Sequence, residues 1–256
     1  MPVLTLGGNA LNYEHVGDGP PLIYIAGTRF DSAKEWAPYM REYASGFNVV
    51  LPDPRGLAGS AHVSTIEPAD WIDDLSALVD VLGAHRVNLA AETLGTRIAA
   101  RFAADHPARV ATLILNAPIA YSSPAGDAQR RGNADPSGRE QAAAAAGLSE
   151  ERRRSMEHHH GADWAAVNEF YLALHARPEF HEYYDLRQAA PRIQAPTLLV
   201  RGDIDDPVHP LMHSVELHQL IPKSWLAIYP NTEFNALRAH PEEAWALVRR
   251  FVAEHG

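Results

Sequence analysis

Cysteine is absent from this 256-residue sequence. Its absence excludes a disulfide framework, a thiolate nucleophile and a cysteine-ligated metal site. Long apolar runs are also absent: no stretch approaches the roughly 18 consecutive apolar residues of a membrane-spanning helix, and the N-terminus lacks the basic and apolar regions of a secretory signal. We therefore expect a cytoplasmic protein that has no membrane among its partners.

Positive charge is scarce. The formal net charge is -10 at pH 7, lysine occurs only at Lys34 and Lys223, and the longest basic run is Arg152-Arg153-Arg154. Nucleic acids and anionic membranes bind basic surfaces, so neither is an expected partner. We expect a small-molecule substrate or ligand instead, bound by a monomer or a homodimer.

The apolar residues, 46% of the chain, fall into short runs that alternate with amphipathic stretches. The runs at 22–26, 47–51, 87–91 and 110–115 have the length of buried strands, and residues 69–82 repeat with helical spacing. This alternation predicts one α/β domain, in which a mostly parallel sheet is covered by helices.

A long segment without a strand pattern interrupts this alternation. From about residue 121 to 190 the sequence is polar, alanine-rich and helical, and strand-like runs return only at 197–201 and 225–229. Unstructured loops of this length are rare inside compact domains. We therefore predict a helical cap or lid at 121–190, inserted into a core formed by 1–120 and 191–256.

Five segments resemble, in their order and spacing, those of the α/β-hydrolase superfamily. They are LIYIAG at 22–27, DPRGLAGS at 53–60, AETLG at 91–95, GDID at 202–205 and HPEE at 240–243. In that family the third segment is the nucleophile elbow, a sharp turn between a strand and a helix. The resemblance implies the α/β-hydrolase fold, with a mostly parallel eight-stranded sheet, flanking helices, a pocket between core and cap, and no cofactor.

The same resemblance implies that the catalytic triad is degenerate. A serine-type mechanism requires a nucleophile, a base and a group that orients the base. The family's base histidine lies six residues before the position of His240, where this chain has Phe234, and a shift of one residue gives Glu233 or Asn235. Since a phenylalanine ring cannot accept a proton, conventional acyl transfer lacks its base.

Thr93 holds the position of the nucleophile, and Asp205 that of the triad acid. The elbow normally requires a positive φ, which is strained for a β-branched residue. Thr93 therefore either contacts substrate or serves as a structural hydroxyl, and Asp205 is either a retained acid or part of an ordinary turn. Glu92 and Glu233 are the carboxylates nearest the pocket. Burial would raise their pKa values toward a range useful for acid–base catalysis, whereas exposure or ion pairing would not.

The elbow, the loop after the strand at 22–26 and the position of the missing base supply the predicted substrate-binding residues. These are Gly27, Thr28, Arg29, Leu94 and Phe234. The backbone N–H groups of Thr28 and Leu94 are expected to converge on a developing negative oxygen, even though Ala26 replaces the family's loop histidine. Arg29 either binds a substrate carboxylate or is solvated.

Three consecutive histidines, at 158–160, suggest a metal site. Consecutive residues on a helix point about 100° apart, so we predict that the three do not form one site and that no metal is bound. His175 and His181 are candidates for lining the pocket or relaying a proton, with solvated or capping roles as the alternative.

Three functional hypotheses are consistent with these residues. The first is a non-hydrolytic enzyme, a cyclase, lyase or isomerase, that acts on an organic metabolite between core and cap through Thr93, Asp205, Glu92 and Glu233. The second is an ester or lactone hydrolase in which Glu92, Glu233 or a cap histidine activates water. The third is a non-catalytic ligand-binding protein on the same fold.

Overall fold

An eight-stranded sheet forms the centre of the computed structural model, which describes residues 3–6, 8–27, 29–122 and 150–256. Its strands are β1 (Val3–Leu6), β2 (Asn9–Val16), β3 (Pro21–Ile25), β4 (Asn48–Pro52), β5 (Val87–Glu92), β6 (Val110–Asn116), β7 (Thr197–Gly202) and β8 (Ser224–Tyr229). They lie in the order β1-β2-β4-β3-β5-β6-β7-β8. The first two pairs in this order are antiparallel and all the others are parallel. The predicted fold class is therefore confirmed.

Helices cover both faces of this sheet. The described α-helices are α1 (Ala33–Tyr43), α2 (Asp70–Val81), α3 (Gly95–Asp105), α4 (Glu150–His160), α5 (Trp164–Leu174), α6 (Pro178–Tyr183), α7 (Leu186–Ala189), α8 (Leu211–Leu220), α9 (Ala236–Ala239) and α10 (Pro241–His255). Strand β3 shows why both faces are covered. Leu22 and Tyr24 enter the core under α1 and α10, whereas Ile23 and Ile25 enter the core under α2 and α3, because successive side chains of a strand point to opposite faces.

The described part of the predicted cap, residues 150–190, is helical and contains α4 to α7. One of its contacts with the core is the Tyr184 hydroxyl, which donates a hydrogen bond of 2.8 Å to the Pro68 carbonyl. Residues 123–149 lie outside the described residues, so the boundaries of the cap stay a prediction. Each described helix is too short or too polar to cross a membrane.

Candidate active site

A cavity of about 480 Å³ lies at the carboxyl ends of the parallel strands, next to α4 and α5. Loops that follow β3, β5, β7 and β8 line it, and their residues include Gly27, Asp31, Thr93, His209 and Phe234. Open α/β sheets bind ligands at this edge, outside the carboxyl ends of the strands. We therefore take this cavity as the candidate active site.

The turn from β5 to α3 has the strained geometry of an elbow despite its β-branched residue. Thr93 has a φ of 47°, its N–H donates to the Asn116 carbonyl over 3.2 Å, and its hydroxyl contacts the Gly27 carbonyl at 3.4 Å. Gly95 follows, where a β-carbon would lie 2.5 Å from the Ile25 carbonyl oxygen, so glycine is needed for α3 to approach β3. Such a φ costs about 1–3 kcal/mol, which these contacts must offset.

Leu94 supplies a backbone N–H at the wall of the cavity. It is the N-cap residue of α3 and lines the cavity. The first N–H groups of a helix lack intrahelical acceptors and favour a negatively charged oxygen. Thr28, the expected second donor, lies outside the described residues, so the predicted pair of N–H groups stays a prediction.

Three side-chain oxygens converge where Gly27 lacks a side chain. A β-carbon on Gly27 would lie 2.7 Å from Thr93 Oγ1, 2.8 Å from Asp31 Oδ2 and 3.4 Å from Glu92 Oε1. Asp31 and Thr93 line the cavity, whereas Glu92 is 2% exposed and lies behind them. Asp31 is absent from the predicted site residues, because its only signal in the sequence is its place in the loop that follows the strand at 22–26.

Glu92 is a buried carboxyl group whose pKa lies in the neutral range. Its Oε2 accepts hydrogen bonds from the Tyr24 hydroxyl at 3.1 Å and from Asn235 Nδ2 at 2.7 Å. Burial, and secondly the negative charge of Asp31, raise the pKa of Glu92 to about 7, against the opposing effect of Arg238. The Arg238 guanidinium lies 2.6 Å from Asp31 Oδ1 and 3.6 Å from Glu92 Oε1. The Arg238 guanidinium therefore contacts two neighbouring carboxyl groups. Of these, the buried Glu92 has a pKa near neutral pH.

A histidine lies beside the position where the family places its base. The His209 imidazole stacks on the Phe234 ring, with centroids 4.1 Å apart and planes inclined by 10°. Its Nδ1 lies 2.9 Å from Asp206 Oδ2. Partial burial raises the pKa of Asp206, but the hydrogen bonds and charge of His209 lower it overall. This pair is absent from the predicted site residues, because the base was sought after β8 and in the predicted cap, whereas His209 follows β7. The spacing Asp-x-x-His at 206–209 was the available signal.

Arginines supply positive charge to the cavity. Arg29, Arg97 and Arg152 line it, and Arg29 is 5% exposed. Arg29 Nη2 donates to Asn168 Oδ1, while its Nε has no hydrogen-bond partner among the described residues. Burial lowers the pKa of Arg29. The alternative that Arg29 is a solvated surface residue is therefore wrong.

Two of the predicted catalytic carboxylates lie at the rim of the cavity. Asp205 is 58% exposed at its side chain, 3.4 Å from Arg201 Nη2, and it accepts the N–H of Leu211 at the start of α8. These contacts favour the turn role over a catalytic one. Glu233 is exposed, so the burial on which its predicted role depends is absent, because the loop after β8 turns it to solvent.

The histidines of the predicted cap have separate surroundings. His160 accepts the N–H of Ala58 at Nδ1 over 2.9 Å and donates from Nε2 to the Arg29 carbonyl over 2.9 Å. It joins α4 to two core loops, and burial lowers its pKa to about 4. His175 lines the cavity. His181 contacts Ser122 Oγ at 2.6 Å, which indicates a structural role.

The chain resembles known proteins in both its sequence and its fold. Residues 20–173 match the family model described as alpha/beta hydrolase fold. The chain is 25% identical over 247 residues to 2-hydroxy-6-oxo-2,4-heptadienoate hydrolase of Pseudomonas putida F1, covering 89% of this chain and 87% of that protein. It is 28% identical over 114 residues to 2-hydroxy-6-oxo-6-phenylhexa-2,4-dienoate hydrolase of Comamonas testosteroni, covering 42% of this chain and 40% of that protein.

Solved structures show the same architecture. Est816, described as an N-acyl homoserine lactone degrading enzyme, superposes with a TM-score of 0.77 at 22% identity, over 98% of this chain and all of that chain. The S103A mutant of the meta-cleavage product hydrolase CumD from Pseudomonas fluorescens IP01 superposes with a TM-score of 0.71 at 18% identity, over 99% of this chain and 98% of that chain. At these identities the likeness concerns the fold.

Proposed function

This chain belongs to the alpha/beta-hydrolase fold family, and from that premise we propose that it is an enzyme in which carboxylate acid–base chemistry replaces the serine–histidine mechanism. Its substrate is a small organic molecule held in the cavity between the sheet and helices α4 and α5. Its reaction is non-hydrolytic and belongs to the class of isomerisation, elimination or cyclisation. The convergence of Asp31, Glu92 and Thr93 oxygens over Gly27 carries this proposal.

A proton-transfer sequence accounts for this arrangement. The Asp31 carboxylate faces the cavity and accepts a proton from a carbon next to a substrate carbonyl. The electron pair of that C–H bond moves into an enolate, whose oxygen the Leu94 N–H stabilises. Return of the proton to another carbon gives an isomer, and loss of a leaving group gives elimination.

Glu92 acts through its neighbours in this sequence, because it lies behind the cavity wall. Its pKa of about 7 allows it to take up or release a proton at neutral pH with little cost. Arg238 contacts both carboxyl groups and opposes the rise in the pKa of Glu92. Glu92 is therefore a positioning residue whose change of charge acts on the neighbouring Asp31–Arg238 ion pair.

The substrate class follows from the buried arginines. A guanidinium with a buried N–H that lacks a protein partner is best satisfied by an anionic oxygen of a ligand, and hydrogen bonds to charged groups are strong. Among the described residues, the buried Nε–H of Arg29 has no such partner. The names of two matched relatives denote carboxylates, a heptadienoate and a phenylhexadienoate. A carboxylate-bearing carbonyl compound therefore fits the cavity.

Deuterium exchange tests this proposal without knowledge of the natural substrate. A panel of saturated and unsaturated keto acids in D₂O is incubated with the protein, and isotope incorporation is followed by mass spectrometry. The wild type is expected to exchange carbon-bound protons of at least one compound faster than buffer does, and the His209→Gln variant is expected to retain this exchange. Exchange at the buffer rate across the whole panel would contradict the proposal.

A hydrolase is the second candidate function, and the His209–Asp206 pair favours it. Asp206 holds Nδ1 of an imidazole that lines the same cavity as Thr93, and an oriented histidine is the usual base for activating a hydroxyl or a water. In this case the wild type should hydrolyse members of a panel of nitrophenyl esters and lactones. His209→Gln should then lower the rate to that of buffer, while Glu254→Gln, at an exposed carboxylate of α10 that does not line the cavity, should match the wild type.

The two candidates make opposite predictions for one variant. His209→Gln leaves carbon-bound proton exchange intact if the carboxylates are the catalytic groups, and it abolishes ester turnover if the imidazole is the base. Ester turnover that persists in His209→Gln would show that His209 is not the base of a hydrolase.

A further inference from the structure

Two histidines at the end of α4 face a glutamate of α1 outside the cavity. His158 Nε2 lies 3.3 Å from Glu35 Oε1, and His159 Nε2 lies 3.4 Å from Glu35 Oε2. One ligand atom from each of the three residues lies within 4.8 Å of the others. The three consecutive histidines do not share this group, because His160 lies outside it, but a carboxylate from another helix lies between the directions of the other two.

The chemistry and spacing of these atoms fit a transition-metal ion. Zinc binds imidazole nitrogen and carboxylate oxygen at about 2.0–2.1 Å in a tetrahedron, which places neighbouring ligand atoms about 3.3 Å apart. The separation of 3.3 Å between His158 Nε2 and Glu35 Oε1 matches that edge length, and His159 Nε2 lies against the other oxygen of the same carboxylate. We infer that Glu35, His158 and His159 bind a divalent metal ion of the zinc type.

A second contact orients one of the proposed ligands. His159 Nδ1 lies 3.3 Å from Ser32 Oγ, which leaves Nε2 as the atom directed at Glu35. Hydrogen bonding of the second ring nitrogen is the usual support of a metal-bound histidine. His159 is 4% exposed at its side chain, whereas His158 and Glu35 are 64% and 49% exposed. The fourth position of the ion is therefore open to water.

The metal would join the core to the predicted cap. Glu35 belongs to α1, and both histidines belong to α4. Arg152, also on α4, lines the cavity. An ion at this place would fix α4 against α1 and hold one wall of the cavity in position, whatever reaction the cavity performs.

Metal titration of tag-free protein tests this inference. Chelator-treated wild type is titrated with ZnCl₂ in a calorimeter, and Co²⁺ is added separately so that visible absorption reports its coordination. We expect one equivalent of Zn²⁺ to bind, the Co²⁺ spectrum of a four-coordinate ion, and a higher unfolding temperature in the presence of Zn²⁺.

Substitutions of the proposed ligands test which residues bind the metal ion. Glu35→Gln and His158→Ala change exposed side chains and are expected to fold, which circular dichroism verifies. Each should weaken Zn²⁺ binding at least about tenfold, since loss of even an outer partner of a ligand weakens it by about 10–100-fold. His85→Ala removes an exposed histidine elsewhere and should bind Zn²⁺ like the wild type. Absence of binding to the wild type, or equal affinity of Glu35→Gln and His85→Ala, would overturn the inference.

Discussion

Asp31→Asn is expected to reduce the rate of deuterium exchange by about 100-fold or more, the usual contribution of a positioned acid or base, and Glu92→Gln, which acts through Asp31, is expected to reduce it by a smaller factor. Asn at 31 cannot accept the proton. Gln at 92 keeps acceptors for Tyr24 and Asn235 but cannot ionise. The rate constant is measured on the keto acid that the wild type exchanges fastest.

The same Glu92→Gln variant is expected to change the dependence of stability on pH. The folded-state pKa of about 7 lies above the ordinary value of 4.5, so the folded protein holds a proton that the unfolded chain loses. Stability from this group is complete below about pH 4.5 and is lost as pH rises through 7. The loss amounts to about 3 kcal/mol. Since Gln stays neutral, the variant should be more stable than the wild type at pH 8, with little difference at pH 4.5.

Urea unfolding at pH 4.5 and pH 8 measures this difference. Glu233→Gln is the matched control, because its side chain is exposed and its removal should leave the wild-type pH dependence unchanged. If Glu92→Gln loses as much stability between the two pH values as the wild type does, Glu92 is ionised in the folded protein near pH 5, and its proposed role is wrong.

The sheet and the elbow could be predicted from the sequence because both depend on local patterns. Apolar runs of strand length mark the buried parallel strands, and the AETLG segment at 91–95 lies between one of them and a helix. The spacing that predicts a helix at 69–82 matches α2, which spans Asp70–Val81. Each helix or strand buries one of its faces, which requires apolar residues at regular intervals within a short stretch of chain. The periodicity of apolar residues therefore predicts these elements.

The surroundings of Glu92 could not be predicted, because they arise from contacts between distant parts of the chain. The sequence places Glu92 next to Thr93, but Asp31 and Arg238 reach it from the loop after β3 and from α9. The burial that raises its pKa depends on both faces of the sheet being covered. His209 was missed for the same reason, since only the folded chain shows it stacked on Phe234. The order of the strands and the loops between them thus decides which side chains meet at the carboxyl ends of the sheet. The spacing of residues along the sequence predicts little of this.

Gly202→Ala is expected to lower the free energy of unfolding by about 3 kcal/mol, the upper range for an overpacked site. Gly202 ends β7, and a β-carbon there would lie 2.0 Å from the Glu233 carbonyl oxygen and 2.1 Å from that of Thr232. Its N–H donates to the Phe234 carbonyl over 3.2 Å. The added methyl group would therefore push away the loop that carries Phe234 and disturb its stack with His209.

Gly83→Ala is the control that distinguishes steric overlap of an added methyl group from backbone strain. Gly83 has a φ of 64° with nothing within 4 Å of a β-carbon, so alanine there should cost about 1 kcal/mol, the penalty of a left-handed conformation alone. Both free energies of unfolding are measured in urea. Equal losses in the two variants would show that the β7 and β8 loops adjust freely to a methyl group. A larger loss in Gly202→Ala would show that close backbone contact between these loops fixes the position of Phe234, and with it the wall on which the His209 imidazole lies.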